Sequence, residues 1–211
     1  MPNEPLTHTR RALHGVAELV MAGPQHRRTG EIQLRVKAGG FGTVTEPDLR
    51  IEGDQLVAGE RRLALGGVTF RALAEAAGVD VGAPRGLYHD GSGVDPDEEV
   101  TLDPAATVYL ERCFELGDAA LRALEPGEQP ILWPEHFDVG ITADEVNYGV
   151  SPGDGYLAEP YAYVGPHRRR AGAFWTAPFG AVRSMRELDL DALVTFFVEG
   201  RERARQDPAA G

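Results

Sequence analysis

The residues best suited to chemistry gather in the stretch 133–170. His136 and Asp138 stand two apart in Trp133-Pro134-Glu135-His136-Phe137-Asp138, and Asn147, Ser151 and Asp154 follow in Asn147-Tyr148-Gly149-Val150-Ser151-Pro152-Gly153-Asp154. An imidazole titrates near neutrality and a neighbouring carboxylate can orient it. His136 is therefore the candidate proton-transfer group, with Asp138 as its partner. Asn147, Ser151 and Asp154 add an amide, a hydroxyl and a second carboxylate, which suit ligand binding. Tyr161 and Tyr163 point to one side of their strand and, with Trp133, would wall such a site. His167-Arg168-Arg169-Arg170 is the one dense cationic run. Arg168 and Arg170 are candidates for forked capture of a carboxylate or phosphate.

These groups share a site only if a hairpin presents them together. With residues 142–145 as its turn, Ile141 faces Val146, Val139 faces Tyr148 and Phe137 faces Val150. That face is wholly apolar and belongs to the core. The other face then carries His136 across from Ser151, Asp138 across from Gly149, and Gly140 across from Asn147. Glycine inside a strand marks a bulge or a close approach to the backbone. The expectation is a walled pocket, with the Gly-, Asp- and Pro-rich segment 79–99 as its lid. An ordinary solvated sheet face is the competing reading.

The segments Trp133–Asp138, Asn147–Asp154 and Glu159-Pro160-Tyr161-Ala162-Tyr163-Val164 together resemble an uncharacterised bacterial family of the domain-of-unknown-function type, found in actinobacteria. The resemblance covers the C-terminal third clearly and the rest loosely. No activity or site residue is established for that family, so the resemblance implies no reaction.

Other chemistries fit poorly. Gly149-Val150-Ser151-Pro152-Gly153 matches G-x-S-x-G, but a nucleophile elbow needs a following helix and uses the N–H after the serine. Pro152 has none, and no His follows His167. His136 and Asp138 make an incomplete metal set to which His89-Asp90 or His167 would have to be added, and a zinc site wants three or four protein ligands. The glycines at 39, 40 and 42 precede no helix and form no nucleotide loop. No cofactor is implied.

The elements that would position these residues are legible from periodicity. A first helix runs from Thr7 on the stripe Leu13, Val16, Ala17 and Val20, and stops at Gly23-Pro24. Alternation at Ile32, Leu34 and Val36 begins an antiparallel meander, with pieces near Thr43, Leu49 to Ile51, Leu56 and Leu63 to Leu65. A short helix over 69–77 ends at Gly78. Asp103-Pro104 starts a helix to about Leu124, with Cys113 on its buried stripe as an inert small hydrophobe. A second β region spans 130–182. The last helix starts at Asp189, buries Leu190, Leu193, Val194, Phe197 and Val198, and leaves Phe196 off its stripe. Residues 207–211 should fray. The expected fold class is α+β, mainly antiparallel sheet with four helices packed on it, in a single domain over 1–211.

Composition limits the partners. The chain has 211 residues, 42% hydrophobic and 26% charged, which suits a globular protein. The formal charge of −12 repels nucleic acid. No apolar run suits a membrane span, and Met1 to Arg11 has no secretory h-region. One cysteine excludes an internal disulfide and fits a cytoplasmic setting. The expected function is binding of, or action on, a small polar, anionic metabolite in the C-terminal β region. The alternative is a non-catalytic interaction or structural module, a homodimer, whose aromatic side chains form an interface.

Overall fold

The computed structural model describes residues 4–88 and 91–210. His89 and Asp90, weighed above as metal ligands, lie outside the described residues. The fold is α+β, with ten strands and neighbouring strands antiparallel. The chain forms two compact units and passes between them more than once. The first gathers the chain up to Arg112 with Leu132–Phe137; the second gathers Cys113–Ile131 with the chain from Asp138 onward.

The first unit opens with one continuous helix: α1 (Glu4–Gly15), a π-helical segment (Val16–Ala22) and α2 (Gly23–Thr29). Leu6, Leu13, Val16, Ala17 and Val20 are buried along it. Gly23-Pro24 does not end the helix as expected. The π segment shifts the hydrogen-bond ladder by one residue, so that Gly23 N–H donates to Glu18 O just before the proline. Pro24 then sits in the first turn of α2, where a missing N–H costs least. The helix stops at Gly30, which adopts φ 80° and whose N–H donates to His26 O.

The meander follows as β1 (Leu34–Lys37), β2 (Gly40–Thr43), β3 (Leu49–Glu52), β4 (Gln55–Ala58) and β5 (Arg61–Ala64), each paired with the next. Beyond β1 lies β6 (Ile131–Trp133), through Leu34 opposite Leu132. Helix α3 (Phe70–Ala77) is capped by the Thr69 side chain and ends at Gly78, φ 78°. The described residues of the segment 79–99 form no helix or strand beyond a bridge between Thr69 and Glu99. It is tied down within its own unit. Ser92 N and Oγ both donate to the buried Glu18 carboxylate, at 2.9 and 2.6 Å. Gly82 N–H reaches Leu19 O at 2.9 Å, and Arg11 pairs with Glu98 at 2.6 Å. The described residues of the segment thus strap onto the first helix.

Helix α4 (Pro104–Leu124) starts on Asp103, whose side chain accepts from Ala106 N at 2.8 Å. Its second half belongs to the second unit, with Cys113 buried. There β7 (Asp138–Ala143), β8 (Val146–Ser151), β9 (Tyr161–Pro166) and β10 (Ala181–Ser184) form a second meander. Helix α5 (Leu190–Gln206) is capped by Asp189. Two glycines let these helices approach the strands closely. A Cβ at Gly117 would lie 2.9 Å from Val139 and Val150, and one at Gly200 would lie 2.7 Å from Val164.

The inward face of α5 differs from the apolar stripe read in the sequence. Leu193, Phe196, Phe197, Gly200 and Ala204 are buried, whereas Leu190 and Val198 are exposed. The small residues Gly200 and Ala204 set the face because close packing rewards them, although neither is strongly hydrophobic. Phe196 is buried between Phe174 and Phe197 with Arg183 over its ring, so its supposed exposure no longer favours an interface. The tail is also held. Ala171 N donates to Pro208 O and Ala210 N to Arg169 O, both at 2.9 Å.

Candidate functional site

The β7–β8 hairpin pairs Val139 with Val150, Gly140 with Gly149, Ile141 with Tyr148, Thr142 with Asn147 and Ala143 with Val146. Its turn is the residue pair Asp144 and Glu145, both at positive φ, 53° and 61°. The expected register is therefore offset by two residues. Each side chain keeps its expected face, since the strand period is two. Asp138, Asn147, Ser151, Tyr161 and Tyr163 share the polar face, as β9 pairs Gly149 with Tyr163 and Ser151 with Tyr161.

His136 does not join that face. It lies in the turn preceding β7, where Phe137 takes φ 55° and donates its N–H to Trp133 O at 2.8 Å. A left-handed residue interrupts the alternation that would have carried His136 onto the sheet. Its side chain is 62% exposed, with Glu135 3.9 Å away. Trp133 is half-buried at the end of β6 in the first unit. The Phe137 ring is held between His14, stacked at 5.3 Å, and Phe41.

Asp138 is buried, and its Oδ2 accepts a hydrogen bond from the Tyr163 hydroxyl. The two strand glycines have the same explanation. A Cβ at Gly140 would lie 3.0 Å from Tyr163 Oη, and one at Gly149 only 2.4 Å from it. The tyrosine ring crosses the bare backbone and fills the space expected for a ligand. Burial foremost, and then the Asp138 charge, hold the Tyr163 phenol well above its ordinary pKa, so it remains a donor. Tyr161 donates to Asp154 Oδ2 at 2.6 Å, and Ser151 Oγ accepts from Gly153 N at 3.1 Å. Asp154 also accepts from Tyr156 N and Leu157 N, which makes it a turn-former. Asn147 is exposed and accepts from Thr142 Oγ1 at 2.8 Å. On the polar face, Tyr163 is bonded to Asp138, Tyr161 to Asp154 and Asn147 to Thr142.

The cationic run leads elsewhere in the same unit. Arg168 and Arg170 meet Arg201 and Arg205 of α5 around a pocket of about 110 Å³ that Tyr148 also lines. Positions 201 and 205 are one turn apart, so both guanidiniums leave the same side of the helix. Arg201 pairs with Glu125 at 2.9 Å and Arg205 with Asp144 at 2.6 Å. Among the described residues, no carboxylate lies within ion-pair distance of Arg168 or Arg170. Tyr148 is 0% exposed, and burial raises its pKa while the nearby Arg201 charge opposes the rise. The Arg201 guanidinium sits 6.0 Å from the ring centroid. Among the described residues the Tyr148 hydroxyl, Arg170 Nε and Arg201 Nε are buried without a hydrogen-bond partner. Unsatisfied buried donors each cost about 1–3 kcal/mol. In the sequence Tyr148 reads only as core, and Arg201 and Arg205 only as complements to the helix dipole. Their spacing was the available signal, but nothing local ties them to Arg168.

Among the described residues no group of three or more His, Cys, Asp or Glu side chains could hold a metal ion, and no helix is long and apolar enough to cross a membrane. Comparison with family profiles, curated proteins and solved structures finds no match.

Proposed function

We propose that this chain binds a small anionic metabolite in the arginine pocket of its second unit. The observation that carries the reading is the convergence of Arg168, Arg170, Arg201 and Arg205 on one small pocket in a chain of net charge −12. Clustered like charges repel, and among the described residues two of the four have carboxylate partners. A bound anion relieves that repulsion and receives charge-assisted hydrogen bonds. The single buried Cys113 fits a reducing, cytoplasmic setting for such a role.

Calorimetric titration with inorganic phosphate and with citrate tests the reading. Binding should weaken with added salt and fall at least ten-fold in the Arg168→Ala/Arg170→Ala double variant, whose melting temperature should stay close to that of the parent. Equal affinity in parent and double variant, or no binding of either anion, would overturn it.

A second reading, an interaction module, is favoured by one feature. Tyr156 and Phe179, 47% and 39% exposed, meet edge to face at 5.2 Å on the surface of the second unit. Self-association lost in Tyr156→Ser, seen by light scattering, would support it.

A further inference from the structure

Resting on the anion-binding reading, we infer that the ligand is a phosphate monoester whose ester group is a flat aromatic or heteroaromatic ring. Two observations carry this. The first is the character of the residues that line the arginine pocket. The guanidiniums of Arg168, Arg170, Arg201 and Arg205 and the Tyr148 hydroxyl can all donate. The residues that carry them come from three elements: strand β8, the segment after β9, and helix α5. Donors converging from several directions match the three terminal oxygens of a tetrahedral phosphate. A planar carboxylate offers two oxygens in one plane, and a single arginine fork would satisfy it.

The second observation is what adjoins that pocket. Arg170 also lines a separate cleft of about 220 Å³ with Arg169, Trp175, Pro178, Gly180 and Ala210. One guanidinium thus borders both spaces, so a ligand with its phosphate in the first reaches the second within the span of that side chain. The cleft is walled by an indole, guanidinium groups and small residues, and no carboxylate lines it. Flat rings stack on indole and guanidinium surfaces, whereas a polyhydroxylated chain would leave them unused.

The indole is also fixed in place. Its Nε1–H donates to Asp207 Oδ2 at 3.0 Å, and Phe174 meets it at 88° with centroids 4.9 Å apart. The tail that supplies Ala210 is held by the bridge between Arg170 and Ala209. A wall fixed before binding loses little entropy when the ligand arrives.

The experiment titrates the full chain with inorganic phosphate, glycerol 3-phosphate and phenyl phosphate, following heat and the indole N–H resonances by NMR. The Trp175 resonance is identified by its loss in Trp175→Phe. Phenyl phosphate should bind on the order of ten-fold tighter than glycerol 3-phosphate and shift the Trp175 indole signal, which the other two should leave in place. Trp175→Leu should abolish the preference while keeping the parent affinity for inorganic phosphate, a result that also shows the variant is folded. If all three phosphates bind equally, or the preference survives Trp175→Leu, the ring assignment is wrong and the anion site stands. If no phosphate binds but citrate does, the phosphate assignment is wrong and the anion site stands; if citrate fails as well, both readings fall.

Discussion

Replacing Gly200 with Ala sets two opposed effects against each other at the contact that seats α5. In a helix interior alanine is favoured over glycine by about 0.8–1 kcal/mol. At Gly200, however, the new Cβ would lie 2.7 Å from Val164 Cγ2, 2.9 Å from Cγ1 and 3.2 Å from Cβ. Ordinary contact begins near 3.4 Å, so the helix or the valine must yield by roughly half an ångström. Val164 is fully buried, and a β-branched side chain has few alternative rotamers. Overpacking of this kind costs about 1–3 kcal/mol. The net expectation is destabilisation by about 1 kcal/mol, despite the better helix former.

The sign should reverse once the obstruction is removed. In a Val164→Ala background, Gly200→Ala should stabilise by up to about 1 kcal/mol, because the propensity gain remains and only the 3.2 Å contact with the residue-164 Cβ is left. Urea unfolding of the four proteins in this cycle would show it as midpoint shifts in opposite directions, each roughly 0.3–1 M. Because α5 carries Arg201 and Arg205, Gly200→Ala alone should also weaken phosphate binding, with recovery in the double variant. Stabilisation by Gly200→Ala in the parent background would refute the argument that close packing, not hydrophobicity, sets this face of the helix.

Tyr163→Phe should cost about 1.5–3 kcal/mol near neutral pH, because it removes a hydrogen bond to the buried Asp138 carboxylate; a loss under 0.5 kcal/mol in chemical denaturation would contradict that role. Phe197→Ala should cost about 3–5 kcal/mol, and a loss under 1 kcal/mol would mean the ring is not in the core. Burial foremost lowers the His14 pKa, partly offset by the hydrogen bond to Pro134 O, so the folded state resists taking up a proton that the unfolded state accepts near pH 6.5. That contribution is complete above pH 6.5 and is lost as the pH falls toward the depressed folded value. The difference in unfolding free energy between the parent and His14→Gln should therefore shrink between pH 7 and 5, and a constant or growing difference would count against it.

The elements were legible where local physics decides them. The meander with its turns at Gly39-Gly40, Glu46-Pro47, Gly53-Asp54 and Gly59, the Asp103 cap and the stop at Gly78 all follow from period-two alternation, a capping side chain and glycines. The hairpin's two faces were legible too, because a slip of two residues preserves strand parity. The first helix was less so, since a π-helical turn has no local marker that distinguishes it from a helix ending at Gly23-Pro24.

By itself, then, the sequence determined most of the strands and helices, which hairpin face is apolar, and that Arg168 and Arg170 form a concentrated positive charge. Tertiary structure alone decided what those residues meet. Whether Gly140 and Gly149 leave space for a ligand or for Tyr163 depends on the pairing of β8 with β9, which residues far apart in the chain establish. His136 left the sheet because packing of Phe137 against His14 and Phe41 supports a backbone conformation its own sequence disfavours. Arg201 and Arg205 reached Arg168 because small residues at 200 and 204 let α5 lie close to β9. Periodicity encodes the direction in which a side chain points. Its partner across the gap is chosen by shape and by charge, and neither is written in neighbouring residues.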